Sequence, residues 1–177
     1  MILRRTLLVS LPAILIAALF CCCGTVPRNV PYNDADYTRY HWPGTGIVQG
    51  QSTVEYGHDT FIGANTVIDL DPVSPYTTET IERQLIRGVN LAPIDPRLYP
   101  HMEEVTTDAN GNFKFTNVPT GEYWVHTFVQ WHDEDFNDEY RCQWIYTKVN
   151  VRNGYTTTIG GWDQGFNWMP GLLWGNH

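Results

Sequence analysis

The sequence predicts an all-β fold, an antiparallel sandwich of about seven strands with one short inserted helix. Three observations predict it. Phe113 and Phe115 alternate with Asn112, Lys114 and Thr116, and Tyr123, Val125, Thr127 and Val129 alternate with Trp124, His126, Phe128 and Gln130. A period of two sends one set to a buried face and the other away from it. Asp108-Ala109-Asn110-Gly111 and Asn117-Val118-Pro119-Thr120-Gly121 are turn sequences, because Asn and Gly accept positive φ and Pro fixes its own. Read together, these stretches form a central hairpin, which is not stable alone and needs a partner sheet. Only one stretch, Thr77 to Leu91, carries a helical stripe, with Ile81, Leu85, Ile86 and Val89 on one side and Glu82, Arg83, Gln84 and Arg87 on the other.

The strands follow in order. Thr45 to Val54 is the first, and Glu55 to Asn65 is a loop around Phe61 and Ile62. Thr66 to Leu70 is the second strand, ended by Pro72 and Pro75. The helix is expected over about residues 78–88, with Gly88 ending it, as an edge cover against strand addition or a lid on a ligand groove. After the hairpin, Trp144 to Val151 puts Ile145, Thr147, Val149 and Val151 on one face. Asn153-Gly154 turns the chain into Tyr155 to Ile159, and Gly160-Gly161 closes the last strand. The expected inward set is Ile68, Leu70, Phe113, Phe115, Val118, Tyr123 and Val125.

Outside this core lie three other regions. Residues 1–21 form a leader with Arg4 and Arg5 before the apolar run Leu7 to Phe20, a helical secretory signal rather than a membrane span. Residues 22–43 are rich in Pro, Asn, Asp and Tyr and read as a tether. The core occupies 44–161, and 162–177 is a Trp-rich tail without a strand period, expected to fold back over the sandwich. The formal charge is −8, and losing Arg4 and Arg5 with the leader makes it −10. Such an acidic chain is a poor partner for nucleic acid.

Two resemblances add to this reading. Thr107, Asp108, Gly111, Phe113, Phe115, Val118, Pro119, Gly121 and Tyr123 fit the run T-D-x-x-G-x-F-x-F-x-x-V-P-x-G-x-Y. The stretch resembles the carboxypeptidase regulatory-like domain, a transthyretin-like β-sandwich used as an accessory module. The leader, ending in Cys21-Cys22-Cys23-Gly24, resembles that of a bacterial lipoprotein. With Leu19 three residues before it, Cys22 is the expected lipid attachment site and Cys23 the second choice. The resemblance implies an exported protein, lipid-anchored at the periplasmic or cell-surface face of a bacterial membrane. Cys142 is then left alone in the domain, where a buried small apolar residue is the expectation.

The candidate chemistry is sparse. His101-x-x-Glu104 has metal-pair spacing, but no large catalytic domain accompanies it. His126 and His132 precede a run of five acids between 133 and 139. They suggest a metal-dependent enzyme similar to the dioxygenase-like sandwiches, although the close His pair of those enzymes is missing because Thr127 and Phe128 follow His126. A solvated acidic loop is the simpler reading of the run. No nucleophile-and-base pair, phosphate loop or dinucleotide fingerprint is present. No catalytic residue, metal or cofactor is therefore expected. The seven Trp are more than a core of this size needs, and exposed aromatics stack on sugars or anchor protein partners. Trp131, Trp162, Trp168 and Trp174 are the expected ligand or partner surface. The function expected is a non-enzymatic envelope lipoprotein, a binding or accessory module for another envelope protein or a glycan. The alternative is the metal enzyme through His126 or His132.

Overall fold

The computed structural model describes residues 24–133 and 139–168. The expected leader, the candidate cysteines Cys22 and Cys23, most of the acidic run and Trp174 lie outside them. No helix among the described residues is long and apolar enough to cross a membrane.

The fold is an all-β sandwich with one short helix. Its strands in chain order are β1 (Gly46–Gln51), β2 (Thr53–Tyr56), β3 (Asp59–Ile62), β4 (Val67–Pro72), β5 (Glu103–Thr106), β6 (Asn112–Val118), β7 (Gly121–Asp133), β8 (Glu139–Val151), β9 (Thr156–Thr158) and β10 (Asp163–Trp168). One layer is a three-stranded sheet in the order β6-β1-β9 and the other a five-stranded sheet in the order β10-β8-β7-β4-β5, with β2-β3 a separate ribbon. The surplus over about seven strands has three sources. The expected first strand divides into β1 and β2, the expected loop contains β3, and the tail contributes β10.

The expected inward set holds throughout. Ile68, Leu70, Phe115, Val118, Tyr123 and Val125 are at most 1 % exposed and Phe113 5 %, and all seven share one cluster between the sheets. A second cluster of Val54, Val129, Trp131 and Ile145 fills the space under the β2-β3 ribbon. Cys142 is buried, as expected.

The central hairpin is corrected. β6 pairs with β1, while β7 pairs with β4 and β8. The Asn117–Gly121 turn thus carries the chain across from one layer to the other, and so does the Asp108–Gly111 turn between β5 and β6. The second of these is built by Asp108, whose Oδ1 accepts from the backbone N of Asn110 and of Asn112, each at 2.8 Å. Gly111 closes it at φ +76°, a conformation costly for any residue with a Cβ. The true hairpin is β7-β8, paired continuously from Gly121↔Val151 to Asp133↔Glu139.

The helix is shifted from its expected place. It runs from α1 (Pro75–Glu79) into a wider π-helical turn over Thr80–Leu85. Ser74 and Thr77 form a reciprocal capping box, and Pro75 sits in the first turn, where a missing N–H costs nothing. Gly88, at φ +67°, ends it. The helix lies on the outer face of the five-stranded sheet, not along an edge. Trp124 Nε1 on β7 donates to Thr78 Oγ1 at 3.2 Å, and at the other end the backbone of Leu85 leaves no room for a side chain at Gly165 on β10.

The expected tether is also corrected. From Val26 onward this segment is part of the fold. Val26 pairs with Leu91, and the backbone N of Asn29 and of Val30 both donate to the buried Glu79 carboxylate, at 2.8 and 3.0 Å. Tyr37 and Tyr40 are fully buried. Tyr37 stacks between Tyr32 and His101, and Tyr40 fits over Gly121 so closely that a side chain there would clash. At the other terminus, residues 162–168 fold back. Trp162 packs on both clusters and β10 pairs antiparallel with β8.

Candidate functional site

Two groups of polar side chains among the described residues bear on function. The first follows from strand alternation on the small sheet. Val48, Phe113 and Phe115 face the core, so Gln49, Gln51, Asn112 and Lys114 face away from it. Register aligns them in rows. Lys114, Gln49 and Thr158 lie side by side across β6, β1 and β9, and Asn112 lies beside Gln51. Gln49 Nε2 approaches Thr158 Oγ1 at 3.5 Å, and Gln51 Nε2 donates to the backbone O of Asn110 at 2.7 Å. These residues line an open groove of about 840 Å³, bounded on its far side by Thr106 and Thr107 at β5. Its lining offers amides and hydroxyls, groups that both donate and accept, together with the apolar Val105, Phe113 and Ile159. These groups could hydrogen-bond a hydroxyl-rich ligand at several points.

The second group is buried under the helix. On the outer face of β4, Asp69 and Asp71 flank His126 of β7. His126 Nε2 lies 3.0 Å from Asp71 Oδ2, and its Nδ1 lies 3.4 Å from Asp69 Oδ2. His126 and Asp71 are each about 95 % buried. Burial alone would pull the imidazole pKa down. The Asp71 charge, its hydrogen bond and the Asp69 charge outweigh this, and the pKa is raised. Asp69 is pushed up to about 6, mainly by burial, against the pull of His126 and with the help of Asp71 and Glu104. Each ring nitrogen faces its own carboxylate, so the trio is a charge chain and not a set of ligands converging on one point. Among the described residues, no group of three His, Cys, Asp or Glu is placed to hold a metal ion.

The expected site residues fare unequally. Trp131 is 6 % exposed and stacks on Phe61 with ring centroids 5.1 Å apart, so it belongs to the core and offers no platform. Trp162 is half-buried beside the groove. Its Nε1 donates to the backbone O of Gln51 at 2.8 Å and its ring packs on Phe113. The backbone of Trp168 lies on edge strand β10 opposite Cys142. His101 and Glu104 are not joined, since His101 stacks on Tyr37 while Glu104 pairs across the sheet with Asp69. His132 packs its ring against Tyr140, 5.0 Å between centroids. Sequence reasoning passed over the groove residues because each is an ordinary polar partner in an alternating strand. The signal available was that three of them carry amides.

Comparison with known proteins adds the fold. No family model matches the chain, and no curated protein matches it. A crystal structure of a candidate carbohydrate-binding protein from Pseudomonas aeruginosa aligns over 72 % of this chain and 94 % of its own, with 21 % identity and a TM-score of 0.64. That likeness shows the fold. A minor pilin of the gram-positive pathogen Streptococcus agalactiae aligns over 66 % of this chain and 42 % of its own, with 17 % identity and a TM-score of 0.36.

Proposed function

We propose that the protein is a non-enzymatic glycan-binding module of a bacterial cell envelope, related to the carboxypeptidase regulatory-like domains and held to a membrane by lipid on Cys22, or on Cys23 as second choice. The observation that carries the binding role is the groove beside the small sheet, where Gln49, Gln51, Asn112 and Thr158 present hydrogen-bonding groups that no described element covers. The fold shared with a candidate carbohydrate-binding protein is compatible with it. The family relation is supported by the T-D-x-x-G run, whose Asp108 and Gly111 shape the turn between layers.

Calorimetric titration of the purified protein with a panel of neutral and acidic oligosaccharides tests the binding role. At least one oligosaccharide is expected to bind saturably, and a Gln49→Ala, Thr158→Ala double variant is expected to bind it about tenfold more weakly at an unchanged melting temperature. Losing two or so hydrogen bonds of about 0.5–1.5 kcal/mol each gives that factor. A panel without saturable binding, or a variant that binds like the wild type, overturns the reading.

The anchor is tested separately. In a bacterial host, a Cys22→Ser, Cys23→Ser variant is expected to leave the detergent phase and to lose the mass of the lipid. Unchanged partitioning and mass would remove the anchor from the proposal, leaving the groove unaffected.

A further inference from the structure

Building on the groove reading, we infer that its ligand class is acidic, a glycan bearing a sugar carboxylate that is read by Lys114. Only two of the groove's lining residues are charged, Asp108 and Lys114. Asp108 keeps its negative charge, but its oxygens are occupied within the turn. Its Oδ1 accepts from Asn110 and Asn112, and its Oδ2 accepts from Asn112 Nδ2 at 3.0 Å. Lys114 is exposed and forms no ion pair among the described residues. Among the described residues, the cations Arg87 and Arg152 are also exposed without an ion pair but lie outside the groove, while others are engaged. Arg83 pairs with Glu79, Arg97 with Asp95 and Asp34, and Lys148 with Glu122. In a chain of formal charge −8, an exposed ammonium without a carboxylate partner, set in a groove, is the group that would distinguish an acidic ligand from a neutral one.

Its neighbours fit the same ligand. Gln49 and Thr158 continue the row from Lys114 across the sheet. A sugar ring with its carboxylate on the ammonium would thus set its hydroxyls over an amide and a hydroxyl. Lys114 also sits on β6, an edge strand, where lysine commonly blocks pairing with another chain. Edge protection needs only the charge, and it makes a different prediction.

The test uses matched probes, oligogalacturonate and its methyl ester, together with oligomers of hyaluronate and their methyl esters. Esterification removes the charge and keeps the hydroxyls. The acid form of at least one pair is expected to bind about tenfold more tightly than its ester at low salt, as a charge-assisted hydrogen bond requires. Lys114→Gln is expected to abolish that preference while leaving the affinity for the ester unchanged. Salt is expected to erode the preference as well. Equal affinity for acid and ester, or a Lys114→Gln variant that keeps the preference, overturns the inference and leaves the groove reading standing. If Lys114→Gln self-associates yet still prefers the acid, edge protection is its role and the inference falls. No binding of any probe, acidic or esterified, overturns the inference, and the groove reading then stands or falls on the neutral oligosaccharides of the panel.

Discussion

Asp71→Ala is expected to destabilise the protein by about 3–5 kcal/mol, the usual cost of removing one partner from a buried ion pair. His126 would keep its place under the helix with Asp69 alone, at the longer 3.4 Å separation. The variant would either hold a poorly compensated imidazolium or give up the proton. Chemical denaturation at neutral pH measures the loss. A loss below about 1 kcal/mol would mean that the trio is neutral in the folded state. The sign of the pH dependence follows from the same groups. His126 has a raised pKa, so its contribution is complete below about 6.5, the unfolded value, and is lost as pH rises through the folded one. Asp69 is raised to about 6, so its burial penalty grows between its ordinary value near 4 and pH 6, then stays constant. Both effects make the fold more stable in mild acid than at alkaline pH. Glu79 sets the opposite limit. Burial pushes its pKa up, but the Asn29 amide, Arg83 and the Val30 amide hold it below the ordinary value, so its contribution is lost as acid protonates it. The melting temperature should therefore be highest in mild acid, below pH 6, and fall toward pH 9. In Asp71→Asn, which keeps the shape, the fall between pH 6 and 9 should flatten. A wild-type curve that rises toward pH 9 would contradict the charge chain.

Phe115→Ala is expected to cost about 3–5 kcal/mol, with a lowered denaturation midpoint and an unchanged slope. Phe115 is 1 % exposed and sits between the layers, in edge-to-face contact with Phe113 at 6.0 Å. The small sheet has only three strands and depends on this contact to hold its partner, so the cavity has little freedom to collapse. A loss under 1 kcal/mol would show that the layers close over the gap.

Particular residues show which parts of the fold were legible in the sequence. The faces were. Every residue of the expected inward set is buried, because a period of two fixes which way a side chain points whichever strand lies alongside. Pairing was not, for the same reason. Phe113 and Tyr123 would point inward equally well in a hairpin or in two facing layers, and the turns at Asp108 and Asn117 suit either. Pro75 was misread as a strand terminator because Pro also belongs in the first turn of a helix, and only the Ser74–Thr77 box distinguishes the two. Tyr37 and Tyr40 carry no period, since their burial comes from rings far along the chain, His101 and Tyr123. The trio at His126 joins residues more than fifty positions apart, and its acids look in sequence like the polar half of an ordinary strand. The Trp surplus pointed to the right question and in part to the wrong residues. Trp131 is consumed by the ribbon β2-β3, an element hidden in an expected loop.

The docked segment before β1 bears on how the domain would stand at a membrane. Val26 is fixed at both sides, its N donating to Asn90 O at 2.7 Å and its O accepting from Ala92 N at 2.8 Å. Four residue steps separate it from Cys22, a span of at most ~14 Å even when fully extended. A lipid on Cys22 would therefore leave the domain no freedom to reach outward on a leash. It would ride low on the headgroups, with few orientations open to it, and its ligand would have to come down to the bilayer surface to be bound.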